Sequence, residues 1–304
     1  MCKVIDNIGI RSCVGFTILD FATKWSNDAD EAIAKGLKIY AQYKKHPLIS
    51  IFFAPHAPYT ISDNTFEKIQ QLTNKLNASI HIHVHETAEE ISTSLNNYHK
   101  RPLKRLYELG ILGSKTQLVH MTQINDEDLT ILKKTGAHVI HCPESNLKLA
   151  NGFSPIKILQ DAGINVGLGT DSAVSNNNLN MVEEMRTAAL IAKEVSKDPR
   201  VLCAPKALEM ATLNGAKALG LEHEIGSLKI GKSADIISIN LATLASSPVY
   251  DPIAQIVYSA NCNDVTNVWV AGKQLVANSK LTTLNEKEIL LKAKSWKQKI
   301  KNNF

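Results

Sequence analysis

Strand-like and helix-like segments alternate from about residue 10 to residue 200, and this alternation constrains the fold more than any single motif. Ser50-Ile-Phe-Phe-Ala54 is an apolar run that ends at Pro55-His56. Ser62 then caps a helix on which Phe66, Ile69, Leu72 and Leu76 share one face. Ser79 to His85 reads as the next strand, and a helix around Pro102 to Leu109 leads to Thr116-Gln-Leu-Val-His120. A short helix over Glu127 to Thr135 precedes the strand Ala137 to His141. Another over Ile156 to Ala162 precedes the strand Ile164 to Leu168. Units of this size imply a parallel sheet with right-handed crossovers. Five strands are clear, ending near residues 55, 84, 120, 141 and 169, and a weaker sixth lies around Arg11 to Ile18. A closed barrel needs eight. The fold class is therefore α/β, a (β/α)8 TIM-type barrel that is incomplete, with its first strands missing.

Two helices follow, about Leu179 to Val195 and Ala204 to Leu219, and then the pattern changes. Ile225 to Ile239 holds a turn at Lys229 to Lys232 between short strands. Val265 to Val270, the Ala271-Gly-Lys273 turn and Gln274 to Val276 form a hairpin. Asn285 with Glu288 starts a last helix in the manner of a capping box. The division is a barrel over residues 1–220 and, over 221–304, part of a small β-sandwich domain plus a C-terminal helix.

Of the 304 residues, 44% are hydrophobic and 21% charged, enough for a large core and a smaller second unit. The net charge of +5 comes from dispersed basic residues. The one local cluster, Lys297 to Lys301, reads as the solvated face of the last helix, so no nucleic-acid partner is expected. No apolar run approaches the roughly 20 residues of a membrane span, and no signal-peptide core follows Met1. The five cysteines are scattered and form no Cys-x-x-Cys pair, which points to free thiols in the cytoplasm.

Chemistry-bearing residues collect at strand ends, where barrels carry their reacting groups. Val166-Gly-Leu-Gly-Thr-Asp171 puts an acid there, followed by Ser172 and Ser175 in a loop-forming stretch. His81-Ile-His-Val-His-Glu86 places three imidazoles on one face of a strand by period two, with Ile80, Ile82 and Val84 on the other. Neutral imidazole suits zinc or iron, and Glu86 follows where a proton shuttle beside a reactive water would stand. His120 and His56 end the neighbouring strands, and His138 and His141 read as structural. There is no phosphate-cradling loop and no Gly-x-Ser-x-Gly elbow.

His56, His83-x-x-Glu86, His120 and Gly169-Thr-Asp171, in that order on successive strand ends, resemble the metal-dependent amidohydrolase superfamily. The chain is similar to its aminohydrolase branch, which includes 5-methylthioadenosine/S-adenosylhomocysteine deaminases and TRZ/ATZ triazine hydrolases. Further matching stretches are Ala54 to Tyr59, His141 to Leu149, Glu184 to Thr187 and Gly226 to Asp235. The resemblance implies one divalent metal, zinc or iron, held by His83 and Asp171. It implies that Asp171 takes a proton from the attacking water, that Glu86 carries protons to the ring nitrogen and the leaving ammonia, and that His120 polarises that water or stabilises the addition intermediate. His56 and Ser175, with Glu86, would position the substrate. The implied reaction is hydrolytic deamination of an aminated purine nucleoside, with a possible homodimer as the assembly.

One departure matters. The superfamily's first strand carries a His-x-His pair that supplies two more ligands. Neither His81-x-His83 nor His83-x-His85 takes that place, because three strands follow up to Asp171 where a first strand is followed by seven. The chain thus looks like a C-terminal fragment expected to hold zinc weakly. No arginine near Gly9-Ile-Arg-Ser12 matches the substrate-contacting ones of some deaminases. Guanine deamination, triazine hydrolysis and a catalytically inactive chain are the alternatives.

Overall fold

The computed structural model describes residues 1–302 of the chain. Six parallel strands form the main sheet in sequence order. They are β1 (Ser12–Ile18), β2 (Ile49–Pro55), β3 (Ile80–Val84), β4 (Thr116–His120), β5 (His138–His141) and β6 (Val166–Leu168). Each strand pairs with its sequence neighbour, so every crossover passes through a helix on the same side. β1 and β6 are the two edges, and no pairing among the described residues joins them. The all-parallel barrel sheet and its strand ends are as the alternation predicts.

The core lies between the strands and the surrounding helices. Phe53, Ile82, Leu118 and Val139 point from successive strands into a layer closed by Phe66, Ile69, Leu103 and Leu106, all fully buried. Ser62 caps the helix Asp63–Leu76 by accepting from Thr65 N, and Phe66 and Ile69 are its buried face. Losing such a cap costs ~1 kcal/mol. The helix Ala29–Tyr43 lies so close to β1 that a Cβ on Gly36 would fall 2.2 Å from the Phe16 ring.

Two helical stretches differ from the sequence reading. The first starts at Met181, because Leu179 takes a left-handed φ and Asn180 becomes the cap. The stretch from Ala204 is two helices, Ala204–Met210 and Leu213–Ala218, broken at Thr212, whose backbone is not helical.

The second sheet is antiparallel, ordered β10-β9-β8-β7. It comprises β7 (Ile236–Ile239), β8 (Val265–Val270), β9 (Lys273–Ala277) and β10 (Lys280–Leu281). The β8–β9 hairpin turns at Ala271-Gly272, both with positive φ. No strand precedes the Lys229–Lys232 turn, contrary to expectation. Gly226 and Gly231 take positive φ there, and the Lys232 ammonium donates to the carbonyls of Glu222 and Ile225, winding the segment into turns. The Arg11 guanidinium ties β1 to this sheet. Its Nε donates to Asp235 Oδ2 at 2.6 Å, and its Nη2 donates to Asp235 Oδ1 and Ser233 Oγ. The helix Pro252–Tyr258 packs on the barrel helices Met181–Ser196 and Ala204–Met210. No described helix is long and apolar enough to cross a membrane.

Candidate metal centre

Donor atoms of His83, His120 and Asp171 lie within 4.8 Å of one another at the C-terminal ends of β3, β4 and β6. The backbone turns sharply at these ends. His120 and Asp171 have φ of 78° and 61°, a left-handed conformation that non-glycine residues adopt at an energetic cost. Packed strands on one side and short bonded segments on the other hold them in it.

Each imidazole is fixed by its second nitrogen. The carbonyl of His56 accepts from His83 Nδ1 at 2.7 Å and also from the His83 backbone N–H. A carbonyl only accepts, so His83 carries its proton on Nδ1 and presents a bare Nε2. Asn146 Oδ1 accepts from His120 Nδ1 at 2.9 Å, leaving His120 Nε2 bare as well. The two rings stack with centroids 5.5 Å apart. Burial is the main influence holding the His120 ring below its ordinary pKa, which keeps it neutral and ready to donate a lone pair.

Asp171 Oδ2 accepts from two hydroxyls, Ser175 at 2.5 Å and Ser145 at 2.7 Å. Burial alone would push this carboxyl up. Ser175, Ser145 and the nearby His120 more than offset it and hold Asp171 below the usual carboxylate range. His83, with its bare Nε2, and the Asp171 carboxylate are donors suited to zinc or another divalent transition metal, and His120 Nε2 stands beside them. The residues present therefore fit such an ion.

Glu86 stands beside this group. Its Oε2 is 3.7 Å from His120 Nε2, and its Oε1 accepts from Asn151 Nδ2 at 2.8 Å. The backbone from which it projects is held by Glu90, whose buried carboxylate accepts from the N–H groups of His85 and Glu86 at 3.0 and 2.8 Å. Burial raises the Glu90 pKa to about 7.

His56 is half-buried, with Nδ1 3.2 Å from Thr60 Oγ1 and its ring edge-on to His83 and Tyr59. Ser175, expected to face the substrate, has its hydroxyl on Asp171 and Ser172. The three imidazoles of β3 do not share a face. His81 and His83 alternate as expected, but His85 takes a φ of 55° and turns into the helix layer. There it is fully buried, accepting at Nε2 from Leu103 N. His138 bonds to Ser114 O and Asn165, and His141 is buried with no partner on either ring nitrogen.

Sequence reasoning did not single out Ser145, Asn146, Asn151 or Glu90. A signal existed for two places. Thr87-x-x-Glu90 is a capping-box pattern, and Thr87 does cap the helix Ala88–Tyr98. Pro143, directly after β5, is a helix-start signal at a strand end.

The sequence pattern of the amidohydrolase family matches residues 1–275. The chain is 49% identical over 300 residues to the 5-methylthioadenosine/S-adenosylhomocysteine deaminase of Teredinibacter turnerae, covering 99% of this chain and 68% of that protein. It is 48% identical to the protein of the same name from Saccharophagus degradans, covering 96% of this chain and 66% of that one. An adenosine deaminase from Xanthomonas campestris, solved with bound zinc, superposes with a TM-score of 0.97 at 41% identity, over 99% of this chain and 68% of that one. The chain thus spans about two thirds of the length of each.

Proposed function

This chain belongs to the amidohydrolase family, and on that premise we propose that its site serves hydrolytic deamination of an aminated purine nucleoside such as 5-methylthioadenosine or S-adenosylhomocysteine. The observation that carries the reading is the placement of Glu86, a carboxylate 3.7 Å from His120 Nε2 and beside the three convergent donors. The relatives at 49% and 48% identity bear the name of that deaminase, which supports the substrate class.

Zinc is the metal we assign, with His83 and Asp171 as its holders from this chain. When bound, it would supply Lewis acidity that activates a water at neutral pH. The residues divide the remaining work. Asp171 accepts the proton that the attacking water gives up. His120 Nε2, bare and neutral, accepts a hydrogen bond from that water and aims it. Glu86 relays that proton from Asp171 to the ring nitrogen next to the amino-bearing carbon, and the carbon takes the water oxygen. Glu86 then takes the proton of the added hydroxyl and passes it to the departing amine, so that the two protons of the water end on the ring nitrogen and in ammonia. Water adds, the carbon–nitrogen bond breaks, and ammonia and the oxo-purine leave. His56 and Ser175 flank the place where the ring would lie.

We assign the protein to the cytoplasm on its five cysteines, none in a disulfide. Ammonia release by the zinc-loaded chain tests the function. Methylthioadenosine and S-adenosylhomocysteine are expected to yield ammonia, guanine at least about tenfold less ammonia, and a chlorotriazine, whose leaving group is chloride, at least about tenfold less chloride, as a site matched to one transition state discriminates. A chain that takes up zinc yet releases ammonia from none of them would refute the assignment.

A further inference from the structure

One short stretch of chain reaches three of the reactive groups. The helix Pro143–Lys148 starts directly after β5, and Asn151 follows within one turn of its end. Ser145 Oγ donates to Asp171 Oδ2 at 2.7 Å, Asn146 Oδ1 accepts from His120 Nδ1 at 2.9 Å, and Asn151 Nδ2 donates to Glu86 Oε1 at 2.8 Å. The groups so bound come from β6, β4 and the end of β3, strands of one sheet whose ends this stretch spans.

The stretch is itself anchored. Glu144 Oε1 and Oε2 accept from Thr187 Oγ1 and Asn176 Nδ2, and the Glu144 backbone N–H donates to buried Glu184. Asn176 Nδ2 also donates to Glu184 Oε1 at 2.6 Å. This fixes the helix against Met181–Ser196 and against the short helix Ala173–Asn176 that carries Ser175. At the far end, Asn151 N donates to Asn146 O, and the Asn151 carbonyl accepts from Thr122 Oγ1 and Gln123 Nε2. Ser145 and Asn146 are both buried.

The geometry points to residues 143–151 as a positioning template, in which Ser145, Asn146 and Asn151 orient Asp171, His120 and Glu86 from one rigid support. Groups that bond a metal's ligands from behind fix their orientation and raise the affinity of the site. The inference rests on the metal reading above, and it separates the three residues by what each one holds. Ser145 acts on a metal ligand. Asn151 acts on the proton carrier, which is not one.

Zinc affinity of the full chain, measured by competition with a chromogenic chelator, distinguishes these roles. Ser145→Ala removes one hydroxyl and is expected to weaken zinc roughly tenfold to a hundredfold. Asn151→Ala is expected to stay within about twofold of the unaltered chain, because Glu86 is not a ligand. Ser94→Ala removes another buried hydroxyl, bonded to Lys100 O far from the site, and should likewise leave zinc affinity unchanged. Thermal melting of the metal-free variants checks that each folds. Ser145→Ala binding zinc as tightly as the unaltered chain would overturn the template. Equal losses in all three variants would also overturn it, since the effect would then be general destabilisation. If the unaltered chain takes up no zinc, the metal reading falls and takes the template with it.

Discussion

Glu86 has its two oxygens in different company. Oε1 is engaged by Asn151, while Oε2 lies 3.7 Å from His120 Nε2. A proton carrier needs one oxygen anchored and one able to exchange, and this arrangement supplies both. Glu86→Gln keeps the shape and the Asn151 contact but cannot cycle a proton, so kcat is expected to fall by about 10²–10⁴ with zinc affinity unchanged. Asn151→Ala frees the carboxylate to swing, and kcat should fall by about tenfold or more at a KM within about twofold. Steady-state kinetics on methylthioadenosine reads both, and a Glu86→Gln protein at full kcat would remove Glu86 from the mechanism. At this scale the sequence was partly legible. Period two on β3 correctly paired His81 with His83, yet it placed His85 beside them. Nothing in a string of letters shows that the strand stops at Val84 and that the next residue takes a positive φ. Ser145 and Asn146 were hidden for another reason. Serine and asparagine are common loop and helix-start residues, and only the folded partners reveal what they hold.

Among the elements, the helix Ala88–Tyr98 does more than cover the sheet. Thr87 caps it by accepting from Glu90 N, and the Glu90 side chain reaches back past the cap to the N–H groups of His85 and Glu86. The helix start therefore fixes the peptide from which Glu86, the proton carrier we propose, projects. Burial raises the Glu90 pKa to about 7 from an ordinary 4.5. A carboxyl raised on folding binds its proton more tightly in the native state. Its contribution is complete below the unfolded value and is lost as pH rises through about 7. Glu90→Gln cannot lose that proton. The stability of the Gln variant relative to the unaltered protein should rise by roughly 3 kcal/mol between pH 4.5 and pH 8. Urea denaturation at both pH values measures it, and a pH-independent difference would show that Glu90 folds ionised. The helix itself was readable from Thr87-x-x-Glu90, but the destination of the side chain was not, because the capping pattern predicts a bond at the cap and not one and two residues before it.

For the whole molecule, the alternation of strand and helix was the most legible property, since short strands of three to seven residues separated by amphipathic helices admit few topologies. The packing of the helix Pro252–Tyr258 on the barrel was not legible, because a seven-residue helix carries too little periodicity to show which surface it covers. The fold as a whole buries titratable groups of both signs of pH response. Burial lowers the pKa of His85 and His141 to about 3 and of His81 to about 4, so all three fold neutral. The unfolded chain binds protons at these positions below the ordinary value of 6.5, and their stability is lost as pH falls from there. Burial raises Glu90 to about 7 and Glu184 to about 8, and their stability is lost as pH rises from 4.5 toward those values. Between about pH 4.5 and 6.5 these histidines, joined by His56, His120 and His138, which burial also lowers, outweigh the two carboxyls, and stability climbs by on the order of 1 kcal/mol per pH unit or more. Above about pH 7 the histidines no longer respond while the carboxyls still do, and stability declines toward pH 8. The metal-free protein should therefore be most stable between about pH 6.5 and 7, with urea midpoints falling on both sides. A midpoint that keeps rising from pH 6.5 to 8 would mean that Glu90 and Glu184 are ionised in the fold, and a flat profile from 4.5 to 6.5 would mean that the buried histidines are charged.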